Sequence, residues 1–131
     1  MSRNLAKAIL SAAIAPALLS AQQYGNMTGA WRLDVESSSW GNAHKPLLVL
    51  MDIEHREPIL RYSGSITYTN ENTRQFAFDG RIDGQEYAMV RSFGAGRIAI
   101  RRLSPNTIRS IFKTDDAQYA EAGTTTISRD G

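Results

Sequence analysis

The sequence predicts an all-β domain, an antiparallel up-and-down meander that closes into a barrel or sandwich. Three observations predict it. From Gly29 onward apolar residues recur with a period of two, the mark of half-buried antiparallel strands. Turn residues interrupt those runs about every ten positions. No stretch after the N-terminal apolar run has a convincing helical period.

The chain has 131 residues, one domain by length. Its first segment reads differently from the rest. In "MSRNLAKAILSAAIAPALLSAQQ" two cations, Arg3 and Lys7, precede an apolar run from Ala8 to Leu19 that ends in the small residues Ser20 and Ala21. This order of charge, apolar core and small residues predicts a secretory signal over residues 1–21. It implies a secreted or periplasmic domain over residues 22–131, beginning near Gln22. Pro16 and the shortness of the run argue against a membrane span, which needs about 20 apolar residues. An amphipathic N-terminal helix that stays in place is the alternative.

The formal charge is +2, from 15 basic and 13 acidic residues. Arg3 and Lys7 account for that excess, so residues 22–131 balance and give no electrostatic ground for nucleic-acid binding. There is no cysteine. No disulfide restricts the unfolded chain, and burial must supply the stability. About 110 residues suffice for a single core.

The strands follow in order. "AWRLDV" sets Trp31, Leu33 and Val35 against Ala30, Arg32 and Asp34. The stretch from Ser37 to Pro46 is the longest irregular piece, with room for one helical turn. "LLVLMDIEHR" places Val49, Met51 and Ile53 on one face and Asp52, Glu54 and Arg56 on the other. "ILRYSGSITYT" aligns Leu60, Tyr62, Ile66 and Tyr68, and "TRQFAFD" aligns Phe76 and Phe78. "GRIAIRRL" and "TIRSIFK" complete the pattern. Between the runs stand Glu57-Pro58, Asn70-Glu71-Asn72, Asp83-Gly84, Gly94-Ala95-Gly96, Ser104-Pro105-Asn106 and Asp115-Asp116. Asp83-Gly84 suits a two-residue type I′ hairpin, which needs positive φ at both central positions. Arg129-Asp130-Gly131 is hairpin chemistry again. It predicts a returning strand that the sequence does not contain, and therefore an open or gapped barrel in which residues 119–128 pair on one side only.

Three stretches carry a resemblance. "GAWRLDVES" from Gly29 to Ser37, "QFAFDGRIDGQEY" from Gln75 to Tyr87 and "TISRDG" from Thr126 to Gly131 resemble motifs of small exported bacterial proteins of the calycin superfamily, which holds the lipocalins and fatty-acid-binding proteins. The resemblance spans nearly the whole of residues 22–131 and implies a calycin-like barrel, here lacking its last strand. It implies a structural role for Trp31, laid across the closed end as a plug; a large aromatic buries about 150–250 Å². No lipocalin-type arginine can be placed over Trp31, and no activity carries over from the group.

Catalytic chemistry finds little support. His44 and His55 are the two histidines. A metal site needs about three or four clustered ligands, so neither a metal nor another cofactor is expected. His55 shares a face with Val49, Met51 and Ile53 and reads as a rim or core histidine with a hydrogen-bond partner. Ser37, Ser38 and Ser39 form a turn cluster without the Gly-x-Ser-x-Gly elbow of a nucleophile. Gly80, Gly84, Gly94 and Gly96 sit between strands, with no helix N-terminus to cradle phosphate.

The remaining candidates concern binding. Arg91, Arg97, Arg101, Arg102 and Arg109 read as a solvated outer face, with a carboxylate or phosphate clamp as the other reading. A hairpin centred on Pro105 and Asn106 would set Arg102 opposite Arg109. The inward set Met51, Tyr62, Ile66, Tyr68, Phe76 and Phe78 mixes apolar rings with phenol hydroxyls. Such a mixture suits a small apolar or amphipathic ligand, and Arg74 at the barrel mouth could meet a ligand carboxylate. The competing reading is a structural or protein-interaction domain whose side chains fill a narrow barrel. A cavity with a few convergent polar groups would favour the first.

Overall fold

The computed structural model describes residues 23–68 and 72–128. The expected signal over residues 1–21, the tip of the Asn70-Glu71-Asn72 turn and the Arg129-Asp130-Gly131 turn lie outside the described residues. Eight strands form one antiparallel sheet in chain order: β1 (Gly29–Arg32), β2 (Leu48–Arg56), β3 (Ile59–Thr67), β4 (Thr73–Arg81), β5 (Glu86–Arg91), β6 (Gly96–Ser104), β7 (Thr107–Thr114) and β8 (Ala120–Thr126). The sheet curls into a half-barrel, and among the described residues there is no helix. Among the described residues β1 pairs only with β2, and β8 only with β7. The all-β meander and its open wall are therefore as the sequence predicts. The segment from Ser37 to Pro46 forms turns instead of a helical turn.

Alternation decides the two faces. One row across the inner face runs Trp31, Met51, Gly64, Phe76 and Arg91 through successive pairings. Gly64 is small because the Phe76 ring lies over it; a Cβ there would stand 2.5 Å from Cζ of that ring. Aromatic rings gather on this face. Tyr62 stacks on Phe78 with centroids 5.3 Å apart, and Tyr87 meets Phe78 edge-on at 6.1 Å.

One end of the half-barrel is closed. Leu60, Phe78, Ile82, Ile98, Ile100, Ile108 and Phe112 form the core with Met27. The β4–β5 loop folds underneath: Ile82 N–H donates to the Pro58 carbonyl at 2.7 Å, and Gly84 N–H to the Ile100 carbonyl at 2.8 Å. This corrects the hairpin expected at Asp83-Gly84. Only Gly84 has positive φ (80°), and the connection spans the four residues between Arg81 and Glu86. A strap of residues 24–28 crosses the same end. Gly25 N–H donates to the Pro105 carbonyl at 2.9 Å, and Met27 N–H to His55 Nδ1 at 3.1 Å. The strap thus ties the β6–β7 turn to the end of β2.

Two further expectations are corrected. Trp31 is not a buried plug: it is 38% exposed, because β1 is an edge strand with nothing among the described residues paired on its far side. Its Nε1–H donates to the Met27 carbonyl at 2.7 Å, which fixes the ring beside the strap. The β6–β7 register also differs by one. Ser104 pairs with Thr107, but a bulge at Leu103 sets Arg101 opposite Arg109 and Arg102 opposite Ile108.

Candidate functional site

The curl of the sheet leaves a trough along its inner face. Toward the open wall a cavity of about 570 Å³ is lined by Trp31 and Leu33 on the β1 side, by Thr125 and Ile127 on the β8 side, and by Val49, Met51 and Ile53 between them. Toward the mouth a second cavity of about 660 Å³ is lined by Ile66, Tyr68, Arg74, Phe76, Met89 and Arg91, among others. Met51, Tyr62 and Ser110 line both, so the two are parts of one trough. The wall end is mostly apolar, with Arg32, Thr125, Thr126 and Ser128 on its border, and the mouth carries phenols and charge.

Six of the seven residues proposed from sequence meet there: Met51, Tyr62, Ile66, Tyr68, Arg74 and Phe76 line the mouth cavity. Phe78 does not. It is 4% exposed and belongs to the core, where Tyr62 and Tyr87 cover it. Burial pushes the Tyr62 phenol up to about 12, with the Glu121 carboxylate adding to the effect. Its hydroxyl meets the Met89 sulfur, at 3.8 Å, a weak acceptor.

The arginines divide between the faces. Arg97 and Arg101 are exposed outside, and Arg109 lies outside with a 3.2 Å bond to Thr124 Oγ1. Arg91 and Arg102 point inward, contrary to the outer-face reading. Arg91 stands at the mouth, its guanidinium carbon 4.0 Å from the Phe93 ring centroid and 4.3 Å from that of Phe112. Its Nε is buried without a hydrogen-bond partner among the described residues. Arg74 lies over the other aromatic surfaces, 5.2 Å from Phe93 and 5.4 Å from Tyr68. The sequence does carry a sign of Arg91: in "EYAMVR" it continues the inward series of Tyr87 and Met89.

At the closed end His55, Glu57 and Arg102 bond to one another and to the backbone. His55, 6% exposed, takes the Met27 amide on Nδ1, so its proton sits on Nε2 and points at Glu57 Oε1, 2.8 Å away. Arg102 holds both Glu57 oxygens, at 2.6 and 2.8 Å, and donates to the Ser104 and Pro105 carbonyls. The Tyr24 ring covers its guanidinium at 4.6 Å. His55 is thus a core histidine with a partner, as read from the sequence. The triad fastens strap, β2–β3 turn and β6–β7 turn to one another.

Among the described residues no group of three or more His, Cys, Asp or Glu side chains is placed to hold a metal, and no helix is long and apolar enough to cross a membrane. Compared with protein-family models, curated proteins and solved structures, the chain matches none, so the calycin resemblance of its motifs gains no support from those comparisons.

Proposed function

We propose that the protein is an exported, lipocalin-like binding protein for a small apolar or amphipathic ligand held on the inner face of the sheet. The observation that carries this reading is the trough. An apolar stretch beside Trp31 and Ile127 runs through Met51 and Tyr62 into a mouth set with Tyr68 and Arg74. Its parts fall within the usual range of ligand cavities, roughly 300–1,000 Å³, and few polar groups converge on one end. Export is read from Arg3, Lys7 and the run that follows them.

The test is titration with a fluorescent fatty acid, with unlabelled lipid as competitor, on wild type and on Tyr68→Ala and Arg74→Ala. Saturable one-site binding, weakened in both variants, is expected. Absence of saturable binding would refute the reading. A second reading, a strand-pairing interaction domain, is favoured by β8: all seven residues are exposed, and none is the Lys or Pro that blunts an open edge. That reading predicts concentration-dependent association by sedimentation, abolished by Thr124→Pro.

A further inference from the structure

We infer that Arg91 anchors an anion subsite in the mouth cavity, and that the ligand it selects is a monoanionic amphipath with a carboxylate head. The inference rests on the reading of the trough as a ligand site and goes beyond it in naming the head group and the residue that holds it.

The starting point is an arginine in an unusual condition. Its side chain is 9% exposed, and the Phe93 and Phe112 rings stand within 4.3 Å of the guanidinium carbon. Rings attract a cation but accept none of its in-plane hydrogen bonds. Nε is buried and makes no hydrogen bond. The one carboxylate nearby, Glu121 Oε1, lies 3.9 Å from Nη1, which is an ion-pair distance and not a hydrogen bond. Glu121 itself is 56% exposed on the free edge strand β8 and accepts a bond from the Tyr119 hydroxyl at 3.1 Å. It offsets charge without satisfying the buried donor. A buried donor left unpaired is costly, and an explanation of its presence is a partner that arrives from outside the chain.

The charge of the cavity narrows what that partner is. Arg74, Arg91 and Glu121 are its charged lining groups, leaving one positive charge uncompensated. Arg74 and Arg91 both rest on Phe93, so the two cations share one corner of the cavity. A single negative charge restores balance there; a dianion would exceed it. A planar carboxylate fits the guanidinium fork, whose adjacent N–H groups can donate to both oxygens. The rest of the ligand is set by what lies beyond the head. Through Met51 and Tyr62 the space opens into a largely apolar stretch between Trp31 and Ile127, where Val49, Met51 and Ile53 suit a hydrocarbon chain, with Arg32, Thr125, Thr126 and Ser128 as its polar border.

The experiment compares two probes with the same chain, sodium decanoate and 1-decanol, at pH 8 and below their aggregation concentrations. Binding to wild type, Arg91→Gln and Glu121→Gln is followed by calorimetry, with circular dichroism to verify folding. Wild type should bind decanoate about ten- to a hundredfold more tightly than decanol, the factor for one or two charge-assisted hydrogen bonds. In Arg91→Gln the ratio of the two constants should fall close to one. In Glu121→Gln, an exposed edge position, the ratio should rise, because the cavity loses its only negative charge. Should Arg91→Gln not fold, the Glu121→Gln ratio decides alone. Equal binding of both probes to wild type, a preference that survives Arg91→Gln, or a ratio unmoved in Glu121→Gln would each overturn the anion subsite while leaving the trough as a ligand site. No saturable binding of either probe would overturn both.

Discussion

At the strapped end of the half-barrel Arg102 is enclosed by partners: both oxygens of Glu57, two turn carbonyls and the face of Tyr24. At the mouth Arg91 is buried to a similar degree, but between two rings, with one donor unpaired and a carboxylate just out of hydrogen-bond reach. The same residue type on the same face of one sheet therefore plays two parts. Where four of the five guanidinium N–H groups meet acceptors of the chain, the side chain fastens chain segments to one another. Where a buried donor is left over, that donor is the basis of the proposed anion subsite. Satisfaction of donors, more than burial, separates a structural cation from a binding one.

The closed end is most sensitive to substitution in the core that supports it. Phe78→Ala should cost about 3–5 kcal/mol in urea unfolding, because the ring is enclosed by Tyr62 and Tyr87. A cost under about 1 kcal/mol would mean that the closed end is not the seat of stability. Next come the two arginines themselves. Arg102→Met should cost about 2–3 kcal/mol, since it strands Glu57 and two carbonyls. Arg91→Met should be neutral or stabilising, since it removes an unpaired buried donor and keeps the apolar stem. Equal losses in the two variants would erase the distinction.

Acid sharpens the same contrast. Burial acts to raise the Glu57 carboxyl, but the hydrogen bonds from Arg102 and His55 and the charge of Arg102 outweigh it and hold the group below its ordinary 4.5. A carboxyl held low in the fold contributes stability that is complete above its unfolded value and is lost as pH falls through the folded one. Stability measured by urea unfolding should therefore decline below about pH 4.5. Glu57→Gln should lack that part of the acid slope while being less stable near neutrality. An unchanged acid slope in the variant would show that the closed-end network does not govern it. The smallest effect lies at the mouth, where Ala117 in the β7–β8 turn has φ +60°. Ala117→Gly should add about 0.5–1 kcal/mol, and a loss would mean that the turn holds another conformation in solution.

The face of each residue was legible in the sequence, because alternation sets it directly; Met51, Tyr62 and Phe76 fall inward as their spacing requires. Depth was not. Phe76 and Phe78 share a face two positions apart, yet one lines a cavity and the other is core, a difference made by Ile82 of the β4–β5 loop and Tyr87 of β5 filling one end. The Trp31 plug failed for a related reason: whether an edge strand is covered depends on what pairs beyond it, which no local pattern reports. The arginine register failed at one residue, Leu103, whose bulge shifts the whole β6–β7 pairing past it. Arg91 was legible as inward from its alternation with Tyr87 and Met89; charge alone argued the other way, and its ring partners come from Phe93 and from the distant Phe112.

The central claim, that a ligand lies along the inner trough with its head at the mouth, is tested most directly by methionine-methyl NMR during decanoate titration. Met51 lines both parts of the trough, Met89 lines the mouth, and each carries one resolvable methyl group. The account predicts that both signals shift together, saturably, with a single dissociation constant, and that the Met89 shift is absent with 1-decanol in Arg91→Gln. Methyl signals of Met51 and Met89 that stay fixed throughout the titration would contradict it.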